Sequence, residues 1–259
     1  MGILSYMQID TDSDTAPMPD SEDYELSPDA GSDDSPAPVA DSTLSSIITV
    51  LPKPIIPCYF CDSTQNGLVR FLNAAAGYNP FLIYINDQLA INGLENGELS
   101  DYGRVSVELQ MVTITDQNGD VYIEKQINVP VDGAITVAVI NTDSGLDLME
   151  IEDMYCNGGI NTGCFRVCNL SVTNPKINVM LNSGLVTFRN VSYRAVTSFQ
   201  YIMTGYYMVS VSGGDTYTRS VLQISDIYIR GNTSYTLYVF NWNTSQDAIR
   251  IIIVEDRRD

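Results

Sequence analysis

The sequence predicts an all-β protein, two tandem immunoglobulin-like antiparallel β-sandwiches preceded by a disordered acidic N-terminal tail. Three observations carry that prediction. Apolar residues make up 44% of the 259, and they are dominated by Val, Ile and Tyr, the branched and aromatic side chains that suit a pleated, half-buried surface. Beyond residue 65 the chain breaks into short alternating runs separated by Gly, Asn and Pro, which is strand and turn punctuation. The third is a repetition: "GLVRFLNAAAGYNP", beginning at Gly67, returns as "GCFRVCNLSVTNP" from Gly163.

Residues 1–45 are the tail. Eleven of the 32 acidic residues lie before residue 45, and no Lys or Arg occurs until Lys53. Asp, Ser, Pro, Ala and Thr cannot bury enough surface to offset the entropy of ordering, and like charges extend such a segment further. Its expected role is solubility or an entropic brush. Residues 46–62 form a Pro-rich connector, in which a β-prone run, Ile47 to Leu51, meets Pro52, Pro54 and Pro57. Proline removes backbone donors, so this stretch is expected to be a linker or an edge strand. Left unpaired, it could add to the sheet edge of a neighbouring subunit.

The first repeat is assigned to residues 63–155 and the second to 156–259. In the first, "FLIYIND" places Phe81, Ile83 and Ile85 on one face, and "VSVELQM" does the same for Val105, Val107, Leu109 and Met111. The apolar phase then moves to Val112 and Ile114, which predicts a bulge or bend near Gln110. "TITDQNGDVYIE" predicts a hairpin with a two-residue turn at Asn118-Gly119. A calcium loop is disfavoured there, because that motif needs Gly sixth and Glu twelfth.

The repetition extends to the end of each unit. Arg70 aligns with Arg166, Asn73 with Asn169, Asn141 with Asn241, and Glu152-Asp153 with Glu255-Asp256. Six to eight short strands per unit suit a sandwich of immunoglobulin-like size; one larger sandwich shared by both halves is the alternative. Within the repeated strand, the Arg stem is expected along an outer face with its head on a carboxylate, and Asn is expected to bond its own backbone in a turn.

"LVRFLNAAAGYNPFLIYIND", with its second copy, resembles the bacterial family DUF4397, a domain of unknown function whose units open with a Val-Arg-Phe-x-Asn-Ala phrase before a Val/Tyr strand. The resemblance covers residues 67 to 256 and is closest to versions from anaerobic, spore-forming Firmicutes. Two departures stand out: Ala75-Ala76-Gly77 replaces the common Ser-Pro-Asp, and Cys168 precedes Asn169 where an aliphatic residue is usual. The resemblance implies a tandem β-sandwich at a surface or in the envelope, and supplies no catalytic residue.

Five cysteines occur, Cys58, Cys61, Cys156, Cys164 and Cys168. Cys164 and Cys168 lie four apart in a strand, about 13 Å between Cα atoms, beyond the roughly 4.4–6.8 Å a disulfide needs. Cys156 and Cys164 bracket "NGGINTG", which is flexible enough to close, and a bridge there would contribute about 2–3 kcal/mol. Cys58-x-x-Cys61 has the spacing of half a zinc site or a redox pair, but the chain has no His and no second Cys-x-x-Cys. Intermolecular cross-links or reduced thiols are the expected state of Cys58 and Cys61, and no metal or cofactor is expected.

Without His, Ser-His-Asp and Cys-His nucleophile systems and most catalytic zinc sites are excluded. No P-loop, dinucleotide fingerprint or Gly-x-Ser-x-Gly is present. Asp143, Asp147, Glu150 and Glu152 are the candidates for a carboxylate glycosidase, which needs two such groups about 5–9 Å apart; a solvated strand edge is the plainer reading. After the tail, 21 acidic against 13 basic residues leave a net charge of −8, and no basic cluster could release enough counterions to hold nucleic acid.

No apolar run reaches the 18 residues of a membrane span. The start "MGILSYMQID" lacks a basic n-region and carries Tyr6 where myristoylation wants Ser or Thr. Synthesis in the cytoplasm, with display on a spore or cell surface by another route, is the expectation. Tyr201, Tyr217, Tyr228 and "GYYMV" from Gly205 could stack on sugars or on partner proteins. The sequence is therefore read as a non-enzymatic structural or interaction protein that assembles through sheet edges and its connector. A carbohydrate- or peptide-binding module is the alternative; partners are other protein subunits, itself included, or surface glycans.

Overall fold

The computed structural model describes residues 49–50, 65–182, 186–214, 221–245 and 248–256. Among them there is no α-helix, and none long and apolar enough to cross a membrane. The first repeat forms eight strands: β2 (Asn66–Asn73), β3 (Phe81–Ile85), β4 (Gln88–Leu94), β5 (Gly103–Ser106), β6 (Glu108–Thr115), β7 (Val121–Val129), β8 (Ala134–Thr142) and β9 (Gly145–Glu152). They make two four-stranded sheets, ordered β5-β2-β8-β9 and β4-β3-β6-β7.

The second repeat supplies β10 (Thr162–Asn169), β11 (Lys176–Leu181), β12 (Val186–Ser192), β13 (Ala195–Val196), β14 (Gln200–Met203), β15 (Gly205–Gly213), β16 (Val221–Ile229), β17 (Ser234–Asn241) and β18 (Ile249–Asp256). Its sheets are ordered β12-β11-β15-β16 and β18-β17-β10, with β13 and β14 both pairing β10. A two-residue strand from the connector, β1 (Thr49–Val50), runs parallel to β18 at the free side of that sheet. The duplicated sequence thus yields one topology twice, of a size compatible with an immunoglobulin-like sandwich.

Each repeat departs from pure antiparallel pairing once. β2 runs parallel to β8, and β10 to β17, with Arg70 opposite Thr136 and Arg166 opposite Thr236. The chain leaves the first strand for the other sheet and re-enters alongside it in the same direction, which only a long crossover permits.

The repeated Gly is explained by that re-entry. A Cβ on Gly67 would lie 2.4 Å from the Pro130 carbonyl oxygen, and one on Gly163 2.6 Å from that of Arg230. Both distances are too short for any side chain.

Three apolar clusters show how the layers stack. One fills the first sandwich, around Val69, Phe71, Ile83, Val137 and Val139. A second fills the other sandwich, around Phe165, Val179, Val209, Leu237 and Val239. The third joins the two repeats: Leu72, Ala138, Ile140 and Ile151 meet Cys168, Tyr238, Phe240, Ile252 and Val254. The sandwiches are packed back to back, and the inner sheets are buried on both faces. Successive residues of β8 and β17 point alternately into their own core and into this seam.

Two local expectations are corrected. "VSVELQM" is not one strand, because the chain crosses from the inner to the outer sheet at Val107, where Glu108 takes a φ of +86°. Val105 stays in the core, while Leu109 is 60% exposed and Gln110 is buried in its place. The break therefore falls three residues before Gln110, and the apolar phase changes because the strand changes sheets. The hairpin β6–β7 is present, but only Gly119 of the turn has positive φ, +90°. Its five-residue loop is tied by Asp116, whose carboxylate accepts the N–H groups of Asn118 (2.8 Å) and Asp120 (2.9 Å). Those bonds, led by Asp120, hold the Asp116 carboxyl below its ordinary pKa. The connector run supplies an edge strand, one of the two forms expected of it, by pairing with β18 of its own chain through Thr49 and Val50.

Candidate functional site

The polar residues of the repeated phrase converge on the seam. Arg70 is 3% exposed and reaches across it, donating from Nη1 to Asp256 Oδ1 (2.9 Å) and from Nη2 to Asp256 Oδ2 (3.2 Å). Its Nη2 also lies 3.4 Å from Asp153 Oδ2, and its Nε donates to Thr136 Oγ1 (2.8 Å). Arg166 makes the reciprocal reach, from the second repeat to the first, with Nη2 3.3 Å from Asp153 Oδ1 and Nη1 donating to the Glu152 carbonyl (2.9 Å). Its Nε donates to Thr236 Oγ1 (2.9 Å). An aromatic ring covers each guanidinium, Tyr102 at 4.4 Å and Phe199 at 4.8 Å.

Asp153 is the hub of this cluster. Besides both arginines it accepts from Thr136 Oγ1 (2.6 Å) and from the Tyr102 hydroxyl (2.8 Å). Burial is the largest influence on its carboxyl and pushes the pKa up, against Arg70 and these two donors. Burial also works against the charge of Arg70, but Asp153 and Asp256 outweigh it and hold the guanidinium above its ordinary pKa. The Arg heads were expected on carboxylates, and they are; the outer face on which they were placed is the seam.

The signature asparagines tie turns. Asn73 donates to the Leu94 carbonyl (2.9 Å) and accepts from Ala75 N–H (3.0 Å). Asn169 donates to the carbonyls of Asn174 and Val191 (both 3.0 Å) and accepts from Ser171 N–H (3.0 Å). Asn141 closes on the backbone of Ala76, and Asn241 on the hydroxyls of Ser171 and Thr173.

The four candidate acids lie along β9 and the turn before it. Asp147 is held by Lys125 Nζ (2.7 Å) and Arg194 Nη2 (2.8 Å), the second a contact between repeats. Burial opposes its charge, but the bonds from Lys125, Leu148 N–H and Arg194 keep its pKa below the ordinary range. Glu150 accepts from Asn128 N–H (3.0 Å), Asp143 is exposed in the β8–β9 turn, and the Glu152 side chain faces solvent. No group of three or more acids and cysteines among the described residues is placed to hold a metal ion.

Cys156 and Cys164 are joined by a disulfide, with Cα atoms 5.9 Å apart. Cys168 is a free thiol in the seam, and burial raises its pKa to about 12. Cys58, Cys61 and Tyr217 lie outside the described residues. On the outward face of β15–β16, Tyr206 (82% exposed) and Tyr228 (43%) meet with centroids 4.7 Å apart and ring planes tilted by 58°, and Met208 is exposed on the same face. Tyr201 and Met203 are exposed on β14.

A family model described as "Domain of unknown function (DUF4397)" matches residues 67–180 and again 163–259. The chain belongs to the DUF4397 family. Both matches open on the repeated Gly, and the seam arginines lie three residues beyond it in each DUF4397 copy. No curated protein matches the chain significantly.

Among solved structures, the Bacillus anthracis TIE protein is similar at 9% identity with a TM-score of 0.24, over 68% of this chain and 34% of its own. This DUF4397 chain thus spans about a third of that protein's length. A candidate cell adhesion protein of Bacteroides eggerthii is similar at 10% identity and a TM-score of 0.25, over 74% of this chain and 96% of its own. One from Bacteroides fragilis gives 9% and 0.20, over 74% and 97%. At these TM-scores the likenesses carry no functional argument.

Proposed function

We propose that the protein is a non-enzymatic structural or interaction protein of a bacterial surface or spore layer, assembling through its β-sheet edges. The observation that carries this reading is that each outer sheet ends on a nine-residue strand, β7 or β16, paired on one side only among the described residues. A long open edge is a template for another chain. Because the two edges belong to different outer sheets, additions at both would propagate instead of closing. The β18 edge is already occupied by β1, so the connector assists assembly only if it leaves its own chain.

Asn128 N–H donates to Glu150 instead of to β6, so the N–H groups of Gln126 and Glu124, two and four residues back, also face away from β6. Gln126→Pro removes one of those outward donors and spares the internal ladder. Sedimentation velocity on the full chain is expected to show concentration-dependent oligomers that shrink in Gln126→Pro. A monomer at every concentration up to the millimolar range would sink the reading.

The Tyr206–Tyr228 pair favours a second reading, a carbohydrate- or peptide-binding module. A glycan array is expected to give signals that vanish in Tyr206→Ala/Tyr228→Ala if the rings are a sugar platform. Surface display is tested by immunogold labelling of intact cells and spores.

A further inference from the structure

A pocket of about 340 Å³ opens on one flank of the first sandwich, between β4 of the outer sheet and β5 of the inner sheet. That volume lies in the range of ligand sites. Its floor is the core itself: Val69, Phe71, Ile91 and Val105 line it, with Leu89, half exposed, at the mouth and Asp101 and Arg104 beside it. Among the described residues both flanking strands are sheet edges, β4 hydrogen-bonded only to β3 and β5 only to β2 within their sheets.

The second repeat shows what belongs in such a place. With Gly67 set on Gly163, Val69 falls on Phe165 and Val105 on Ile202, while Ile91, opposite Ile83 in the ladder, falls on Phe188, opposite Val179. There the two phenyl rings meet at 5.9 Å and are buried, 0% and 4% exposed. In the first repeat the same two positions carry Val and Ile, and Ile91 is only half buried. The ring that lines the pocket, Phe71, sits two residues further along β2, at the position Val167 holds in the second repeat, about 7 Å away along the strand. The first sandwich therefore lacks the ring pair that closes its twin, and the flank stays open.

We propose that this pocket receives one aromatic ring from outside the sandwich, carried as the side chain of an extended peptide segment lying along the open edge of β4. An apolar cavity of lesser size already binds a benzene ring. The unpaired backbone of an edge strand gives an extended segment main-chain partners, while the pocket selects its side chain.

The test uses the full chain and two fluorinated probes read by ¹⁹F NMR: the capped pentapeptide Thr-Val-(4-fluoro-Phe)-Val-Thr and free 4-fluorotoluene. Saturable binding is expected for the peptide, at least tenfold tighter than for the free ring, with a tenfold or greater loss in Ile91→Phe. Val105→Ile narrows the same pocket by one methylene and is expected to weaken the peptide by a smaller factor, so the result stands even where Ile91→Phe folds poorly. Equal affinity for the two probes would overturn the peptide as carrier. Failure of both to bind, or binding indifferent to both substitutions, would overturn the site.

Discussion

Replacing Arg70 by Met tests the reasoning about the seam most directly. Met keeps most of the buried stem volume and removes the guanidinium, so the packing around Leu72 and Tyr238 changes little while the charge cluster loses a cation. Asp153, 3% exposed, is left with Arg166 at 3.3 Å and its two hydroxyl donors; Asp256 loses its bidentate partner but is 23% exposed and can turn to water. Removing one partner of a buried ion pair costs about 3–5 kcal/mol, chiefly as the cost of the carboxylate left behind, against a typical domain stability of about 5–15 kcal/mol.

Guanidinium chloride unfolding is the assay, followed by far-UV circular dichroism and by the fluorescence of Trp242, the chain's one tryptophan. Arg70→Met is expected to lose about 3–5 kcal/mol, and Asp256→Asn about 1 kcal/mol, because the Asn amide oxygen still accepts from Arg70, which also keeps Asp153. The double variant should fall short of the sum by more than about 0.5 kcal/mol, the mark of residues in contact. An Arg70→Met protein within about 1 kcal/mol of the parent, or strict additivity, would refute the claim that the ion cluster fixes the seam.

Four further outcomes follow from named contacts. Gly163→Ala, whose methyl would meet a carbonyl oxygen at 2.6 Å and Ile229 Cγ2 at 2.8 Å, should lower stability by about 2–4 kcal/mol, whereas the exposed Tyr206→Ser should change it by less than about 0.5 kcal/mol; thermal melts distinguish them. Asp147 and Asp116 have folded pKa values below those of the unfolded chain, so their stabilisation is present above the ordinary carboxylate pKa and lost as pH falls through the folded values. Asp153, whose pKa burial raises, works in the opposite sense, so the readout is a difference: below about pH 4 the parent should lose unfolding free energy more steeply than Asp147→Asn. Cys156→Ala/Cys164→Ala removes the cross-link of a short loop, eight residues in separation, and is expected to cost about 2.5 kcal/mol. Cys168, with its pKa raised to about 12 and no exposure, should react with Ellman's reagent only after unfolding.

The strands and the duplication were legible because they are local or periodic: the burial of Phe81, Ile83 and Ile85 on alternate positions follows from residues two apart. The seam was less so, because its contacts join residues as far apart as Arg70 and Asp256, 186 positions. A signal was nonetheless present. "TVAVIN" and "TLYVFN" do not alternate, and an unbroken apolar run in a strand marks burial on both faces; β17 is buried at all eight positions. Read that way, the partners of the two arginines had to be sought across a second layer. The sheet crossing at Val107 left a weaker trace, since a phase slip fixes that a strand breaks but not at which residue.

The seam's charges balance, and this explains why a repeat of this kind persists as a pair. One unit brings Arg70 and Asp153, the other Arg166 and Asp256, and each arginine finds a carboxylate in the opposite unit. Alone, a unit would expose Leu72, Ile140 and Ile151 together with a guanidinium whose bidentate partner is gone. The apolar part of the seam would tolerate sliding by one pleat, two residues or roughly 7 Å. The ion cluster would not, because such a slide takes Asp153 from Arg166 and leaves Arg70 with Asp153 alone, its bidentate partner Asp256 gone. The hydrophobic cluster thus supplies the attraction between the sandwiches and the Arg–Asp exchange supplies the register, which holds the two open outer edges in a fixed relation to each other.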